Sequence, residues 1–424
     1  MTKTQTFDIA VVGAGAAGLA TAIFARRGGA SRSLVLLDSS KKPGAKILVS
    51  GGSRCNVTNA HVDEADFWAH STGSGQARAR IIRRILRAFP PERTIELFQE
   101  LGVPLHVEEN GKLFPDSNRS RDVLDALLRE AAATGSTMLS DRRVLDVQRA
   151  GDRFRIVTSS GEIDAGIVVL ATGGRSLPKT GSDGAGLDIA RRLGHAIVPT
   201  TPALTPLLLA DDDPVHRELS GVSQPVELAI WLDNAVAERL RGSMLWTHFG
   251  VSGPAALDAS RHYLRAGLEG RAVRITVNFR EGESFDDVDR AWTDIAATRS
   301  KASVANTLAT MIPASVAGAL IHQLALDGST PLAHFNRDDR RRVVHALTAW
   351  PLPVTGARGY NHAEVTAGGV ALSEIDPATM ASKICPGLFL VGEMLDVDGR
   401  LGGFNFQWAW ATGFVAGNAL VDWP

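Results

Sequence analysis

The chain has 424 residues, 44% of them hydrophobic and 21% charged, an ordinary balance for a folded protein and more chain than one core usually holds. A formal charge of −1 supplies no overall field for nucleic acid or anionic lipid, so neither is expected as a partner, and no apolar run reaches the ~18 residues of a membrane span. Cys55 and Cys385 lie far apart without a C-x-x-C pair, which argues against a disulfide framework and against a metal site. Residues 1–12 lack the charged-then-apolar pattern of a signal peptide, so a reduced, cytoplasmic protein is expected.

The apolar run Ile9 to Val12 reads as a buried parallel strand. Gly13, Gly15 and Gly18 follow it as G-x-G-x-x-G, with Ala16 and Ala17 between. The first glycine permits a tight turn, the second lets backbone approach a pyrophosphate, and the third lets a helix pack on the strand. A helix then runs through Leu19, Ala20, Ile23 and Phe24, and its free N–H groups and dipole suit phosphate. The next strand, Leu34 to Leu37, ends in Asp38, whose carboxylate can accept from ribose hydroxyls. Strand, turn, helix and acid together predict a dinucleotide site, without separating FAD from NAD.

Residues 50–59 read Ser-Gly-Gly-Ser-Arg-Cys-Asn-Val-Thr-Asn, a loop costly to order unless it wraps a ligand. Lys46 and Arg54 are placed to balance phosphate or flavin charge. Residues 76–101 are predicted as helices broken by Pro90 and Pro91, and Val103 to Phe114 as a hairpin turning at Glu109-Asn110-Gly111. The arginines at 78–87 and 337–342 are read as solvated helix faces. A helix is expected over Asp122 to Ala133, strands over Val144 to Val147 and Phe154 to Val157, and a strand over Ile167 to Ala171. That last strand ends in Thr172-Gly173-Gly174. No second complete strand–glycine–helix–strand–acid unit follows, so a permanent NAD(P)H domain is not expected.

Segments 215–232 and 271–279 alternate like antiparallel strands, and 286–350 looks mainly helical. Near the end, Leu388 to Val391 reads as a strand leading to Gly392 and Glu393. A helix rich in Ala and Gly then runs from Phe404 to Leu420, its start preceded by Gly402 and Gly403. Such an N-terminus suits partial negative charge, as on a flavin pyrimidine, and Glu393 suits a ribityl hydroxyl.

These segments together resemble the BaiN/RdsA-type flavoproteins, also labelled aminoacetone-oxidase-like FAD-binding enzymes. The matching pieces are residues 11–18, 50–59, Leu-Ala-Thr-Gly-Gly-Arg-Ser-Leu-Pro at 170–178, and Thr-His-Phe-Gly-Val-Ser-Gly-Pro at 247–254. Val-Thr-Ala-Gly-Gly-Val at 365–370, Gly-Glu-Met-Leu-Asp-Val-Asp-Gly at 392–399 and Gly-Gly-Phe-Asn-Phe-Gln-Trp-Ala-Trp at 402–410 complete the set. The resemblance implies an α/β fold: a discontinuous, glutathione-reductase-like FAD-binding Rossmann domain over 1–198 and 354–424. A β-rich substrate domain over 199–285 and a helical insertion over 286–353 would interrupt it.

The resemblance also implies one FAD, held by Gly13, Gly15, Ala16, Ala17, Gly18, Asp38, Lys46, Ser50, Gly51, Arg54, Cys55, Asn56 and Val144 on one side of the sequence break. Ala171, Thr172, Gly173, Gly392, Glu393, Gly403, Phe404 and Asn405 complete the set. Two positions depart from the family pattern: Asp38 stands where Glu is usual, and Ser53 where a third glycine is usual. With FAD carrying the redox chemistry, a catalytic side chain is optional; Cys55 and His248 are the candidates, His248 because its motif is expected toward a cleft. The expected activity is reduction of an activated double bond in a small apolar substrate, with NADPH or NADH as transient reductant. The alternatives are a peroxide-producing amine oxidase and a non-catalytic FAD-binding redox sensor.

Overall fold

The computed structural model describes residues 4–71, 75–212 and 215–423; residues 1–3, part of the segment weighed as a signal peptide, lie outside these. Contacts divide the chain into two units, residues 1–202 with 363–424, and residues 203–362.

The first unit is a doubly wound α/β layer. Its parallel strands lie in the order Thr137–Leu139, Leu34–Leu37, Gln5–Val12, Gly161–Leu170. Leu388–Leu390 adds in parallel to the far end of Gly161–Leu170, with Val168 opposite Leu388. The first half of that long strand instead pairs antiparallel with Arg153–Thr158, which pairs with Val144–Ala150. Ile9, Ala10 and Val11 have no exposed surface, because helices cover both faces of the sheet at this point. The first helix, Ala16–Arg27, packs on the final helix, Phe404–Val421. Gly413 and Gly417 make that approach possible: a Cβ at Gly413 would sit 2.6 Å from the Ala20 Cβ, and one at Gly417 2.7 Å from that of Phe24. The expected hairpin is present, Leu105–Val107 against Lys112–Pro115, with Asn110 and Gly111 both at positive φ in the turn.

The second unit is an antiparallel sheet backed by helices. Its strands run in the order Trp350–Leu352, Val273–Asn278, Ser223–Leu232, Ala235–Thr247, Gly250–Ser252, Leu207–Leu209, Val354–Ala357. The two edge strands are separated in sequence by Pro353 alone, so the sheet curls until its edges meet at that corner. The helices over Phe285–Ala349 bury Trp292, Val304, Val316 and Val344 in the same core as Val226, Leu228 and Ile275 of the sheet. Val215–Glu218 is a short helix rather than the strand its alternation suggested; the strand begins at Ser223, where pairing with Leu245 becomes available.

Candidate functional site

The first glycine turn is pressed against the end of the central strand. Gly13 has φ +104°, its N–H donates to Leu37 O at 2.7 Å, and a Cβ there would lie 2.4 Å from Ala171 O. Gly18 is held by the turn itself, where a Cβ would strike Gly13 O. Gly15 differs: its φ of −85° suits any residue, and a Cβ there meets nothing within 4 Å. The helix behind it has no side-chain cap and no acid in its first turn, so its amide end is left to an outside acceptor.

Asp38 closes one end of this region. Its Oδ2 accepts from Ala14 N at 2.9 Å and its Oδ1 from Ser40 N at 2.8 Å. Burial pushes its pKa up, against the pull of those two amides. Each oxygen keeps a lone pair for a hydroxyl donor. Val144 begins a strand just after Arg142, whose N–H donates to Asp38 O, so it lies toward the Asp38 end.

Thr172, Gly173 and Gly174 form the hub on which the other motifs converge. Thr172 Oγ1 donates to Met394 Sδ at 3.2 Å, and a Cβ on Gly186 would overlap that hydroxyl. A Cβ on Gly174 would lie 2.4 Å from Thr366 Oγ1 and 2.9 Å from Glu393 Oε1. Gly392, at φ +69°, leaves only 2.7 Å between a Cβ and that of Ala17, so the late glycine turn sits directly on the first helix.

Beside this hub lies a half-buried polar cluster. Lys46 Nζ pairs with Glu393 Oε2 and donates to Ser176 Oγ at 2.5 Å. Glu393 Oε1 accepts from Ser176 Oγ at 2.7 Å and from Thr366 N at 3.0 Å. Thr366 Oγ1 accepts from Arg175 N and Ser176 N, fixing the strand-to-loop turn. Ser176 and Thr366 were not singled out from sequence, although both fall inside matching motifs.

Lys46 also starts the track to the second glycine region. It lies on the helical stretch Ala45–Ser53, which breaks at Ser50 into three left-handed residues: Gly51 at φ +53°, Gly52 at +66° and Ser53 at +68°. Asn56, with its amide turned toward the final helix, accepts from Gly403 N at 3.1 Å and donates to Thr58 O at 2.9 Å. Gly403, at φ +95°, lies so close that a Cβ would be 2.3 Å from Thr58 O. Phe404 opens the final helix, which has no side-chain cap and no acid in its first turn. Asn405 folds back to clamp Gly399 N and O, at 2.8 and 2.9 Å.

Three predicted residues stand apart from this track. The Arg54 guanidinium is held by both Glu108 oxygens and lies 4.0 Å over the Phe114 ring. Cys55 is fully buried at φ +63°, and burial pushes its thiol up to about 12, so it is no thiolate at neutral pH. His248 is an exposed residue of the second unit, in the turn between Ala235–Thr247 and Gly250–Ser252.

The donors suit a long dinucleotide such as FAD: two uncapped helix N-termini for phosphates and a ring carbonyl, the Lys46–Ser176–Glu393 cluster for sugar hydroxyls, and Asp38 for a ribose. The open space at Gly15 leaves room for a diphosphate at the start of the first helix.

A family model described as the HI0933-like protein Rossmann domain matches residues 7–419. A curated relative, the ribosomal RNA dihydrouridine synthase of Escherichia coli (strain K12), is 33% identical over 423 residues, covering 98% of each chain. Another, the 3-dehydro-bile acid delta(4,6)-reductase of Clostridium scindens, is 29% identical over 416 residues, covering 98% of this chain and 99% of the relative. Among solved structures, an E. coli quinol fumarate reductase FrdA mutant superposes with a TM-score of 0.50 at 16% identity, over 99% of this chain and 71% of that one, a likeness of fold alone.

Proposed function

The chain belongs to the HI0933-like Rossmann family and is an FAD-dependent oxidoreductase; from that premise we propose that it reduces a carbon–carbon double bond conjugated to a carbonyl, with NADPH or NADH as electron donor. The observation that carries this reading is the convergence of the first glycine turn, the Lys46–Ser176–Glu393 cluster and the final helix's amide end along one track within the first unit. Two relatives that match nearly end to end support the choice of acceptor. One is named for reducing the Δ4,6 unsaturation of a 3-dehydro-bile acid and the other for making dihydrouridine. A 3-oxo-diene and a uracil ring share a double bond in conjugation with a carbonyl.

FAD, when bound, supplies two-electron transfer between donor and acceptor. The chain's own residues do the rest. The first helix's uncapped amides would hold the diphosphate. Lys46 pairs with Glu393 and fixes its carboxylate, so that its oxygens could accept from a polyol hydroxyl. The final helix's uncapped amides would hold a ring carbonyl of the flavin and favour negative charge there. Cys55 stays protonated and takes no part as a nucleophile.

Anaerobic mixing of the holoenzyme with NADPH or NADH tests the reading. Loss of the oxidised flavin band, and its return on adding an enone, is the expected result. Failure to bleach with either nucleotide, with peroxide released from amines instead, would overturn it in favour of the oxidase.

A further inference from the structure

We propose that the exposed face of the helix Gly75–Ala88 is a docking surface for the phosphodiester backbone of RNA. This helix carries Arg78, Arg80, Arg83, Arg84 and Arg87 and no acidic residue. Ile82, Ile85 and Leu86 bury one side of it in the core of the first unit. Arg80, Arg84 and Arg87 recur at i, i+4 and i+7 and therefore share the opposite, exposed side. Arg83 is paired with Glu64 and Arg78 donates to Ser71 O. Among the described residues, no carboxylate pairs with Arg80, Arg84 or Arg87.

The second arginine-rich helix, Arg337–Ala349, shows what a merely solvated face looks like here. Its Arg340 pairs with Asp289, its Arg342 with Asp339, and Arg341 lies over the Phe285 ring. Arg80, Arg84 and Arg87 of Gly75–Ala88 have no such partner among the described residues. Their three guanidinium groups span about 10 Å of helix. That matches the axial rise of about three phosphates on one strand, and the guanidinium fork suits phosphate oxygens. An anionic membrane is the weaker match, because the helix's apolar side is already buried and none is left to insert.

The chain leaves this helix through Phe89 into Pro90 and Pro91, which wall a cavity of about 540 Å³ of mixed charge: Lys112 and Arg400 line it with Asp63, Asp66 and Glu92, and Arg400 pairs with Asp66. Phe404 lines the same cavity and also opens the final helix, so the cavity that follows the arginine helix adjoins the proposed cofactor track. The overall charge of −1 conceals this local field. The inference rests on the reductase reading in one respect: it places the conjugated double bond in a base of RNA.

The test is fluorescence anisotropy of the holoenzyme with a labelled twelve-nucleotide oligouridylate between 50 and 200 mM KCl. Wild type and the triple variant Arg80→Gln, Arg84→Gln, Arg87→Gln are compared, with the triple Arg→Lys variant as a folded, charge-retaining control. Loss of three contacts lowers the slope of log affinity against log salt by about 2, with affinity falling at least tenfold in 100 mM salt; the Lys variant keeps the slope. Absence of RNA binding by wild type, an unchanged slope in the Gln variant, or tighter binding to phosphatidylserine vesicles than to RNA would overturn the proposal. Flavin bleaching by NAD(P)H is read in the same preparations. RNA binding without bleaching counts against the reductase reading and leaves the docking face standing, whereas bleaching without RNA binding removes the docking face alone.

Discussion

Removing Lys46 should expose how the polar cluster works. Lys46→Met leaves Glu393 with Ser176 and Thr366 but no cation. Stripping one partner from a fully buried ion pair costs about 3–5 kcal/mol, while an exposed pair is worth about 0–1 kcal/mol. These side chains are 27% and 17% exposed, which places the pair between those limits, at about 2 kcal/mol. Glu393→Gln removes the charge that needed Lys46, so the double variant should cost about 2 kcal/mol less than the sum of the singles. In FAD affinity this corresponds to about a 30-fold loss for Lys46→Met and a clear rescue on adding Glu393→Gln. Titrating deflavinated protein with FAD, followed by flavin fluorescence quenching, measures all four corners of the cycle. Additive losses would refute the idea that the two side chains act as a unit at the cofactor.

Ser53→Gly should raise stability by about 0.5–1 kcal/mol, since Ser53 holds φ +68° at a position where glycine is unstrained; a melting-temperature rise checks this. Gly413→Leu should unfold the first unit or cost more than about 3 kcal/mol, because the Ala20 Cβ and Ala17 O already occupy the space, and circular dichroism melts would show it. Native Cys55 should resist iodoacetamide at pH 8 and react only on unfolding, as mass spectrometry would report. Asp38 has a folded pKa above its unfolded value, so its contribution to stability is fully present below about pH 4 and is lost as pH rises through the folded pKa. Asp38→Asn should remove that slope from denaturant midpoints of the apo protein measured across pH 3.5–6.

The Rossmann core was legible because its signals are local. Leu34 to Leu37 and the helix after Gly15 follow from an apolar run and a glycine motif in which close backbone approach demands Gly13 and Gly18. The departure at Ser53 was visible in sequence but not its backbone, since serine tolerates positive φ poorly; the structure keeps the left-handed conformation there, with serine at φ +68°. Ser176 and Thr366 were not assigned, because their roles exist only through partners 190 residues apart in sequence, Thr366 Oγ1 meeting Ser176 N at 3.1 Å. Arg54 illustrates the opposite case. Its charge and loop suggested an anion partner, but the hairpin over 105–115 brings Glu108 to it, a pairing that no spacing within residues 50–59 announces. The arginines of Gly75–Ala88 and Arg337–Ala349 differ already in sequence, since the second helix carries its own Asp338 and Asp339; the pairing of Arg340 with the distant Asp289 needed the structure.

Gly15→Val isolates the central claim. The backbone there suits a residue with a side chain and a Cβ meets no protein atom within 4 Å, so the apo variant should melt as wild type does. The same side chain would occupy the space before the first helix that is proposed for the diphosphate, so FAD affinity should fall more than 100-fold, about 2.7 kcal/mol. A variant that folds normally and still binds one FAD per chain with wild-type affinity would contradict the account.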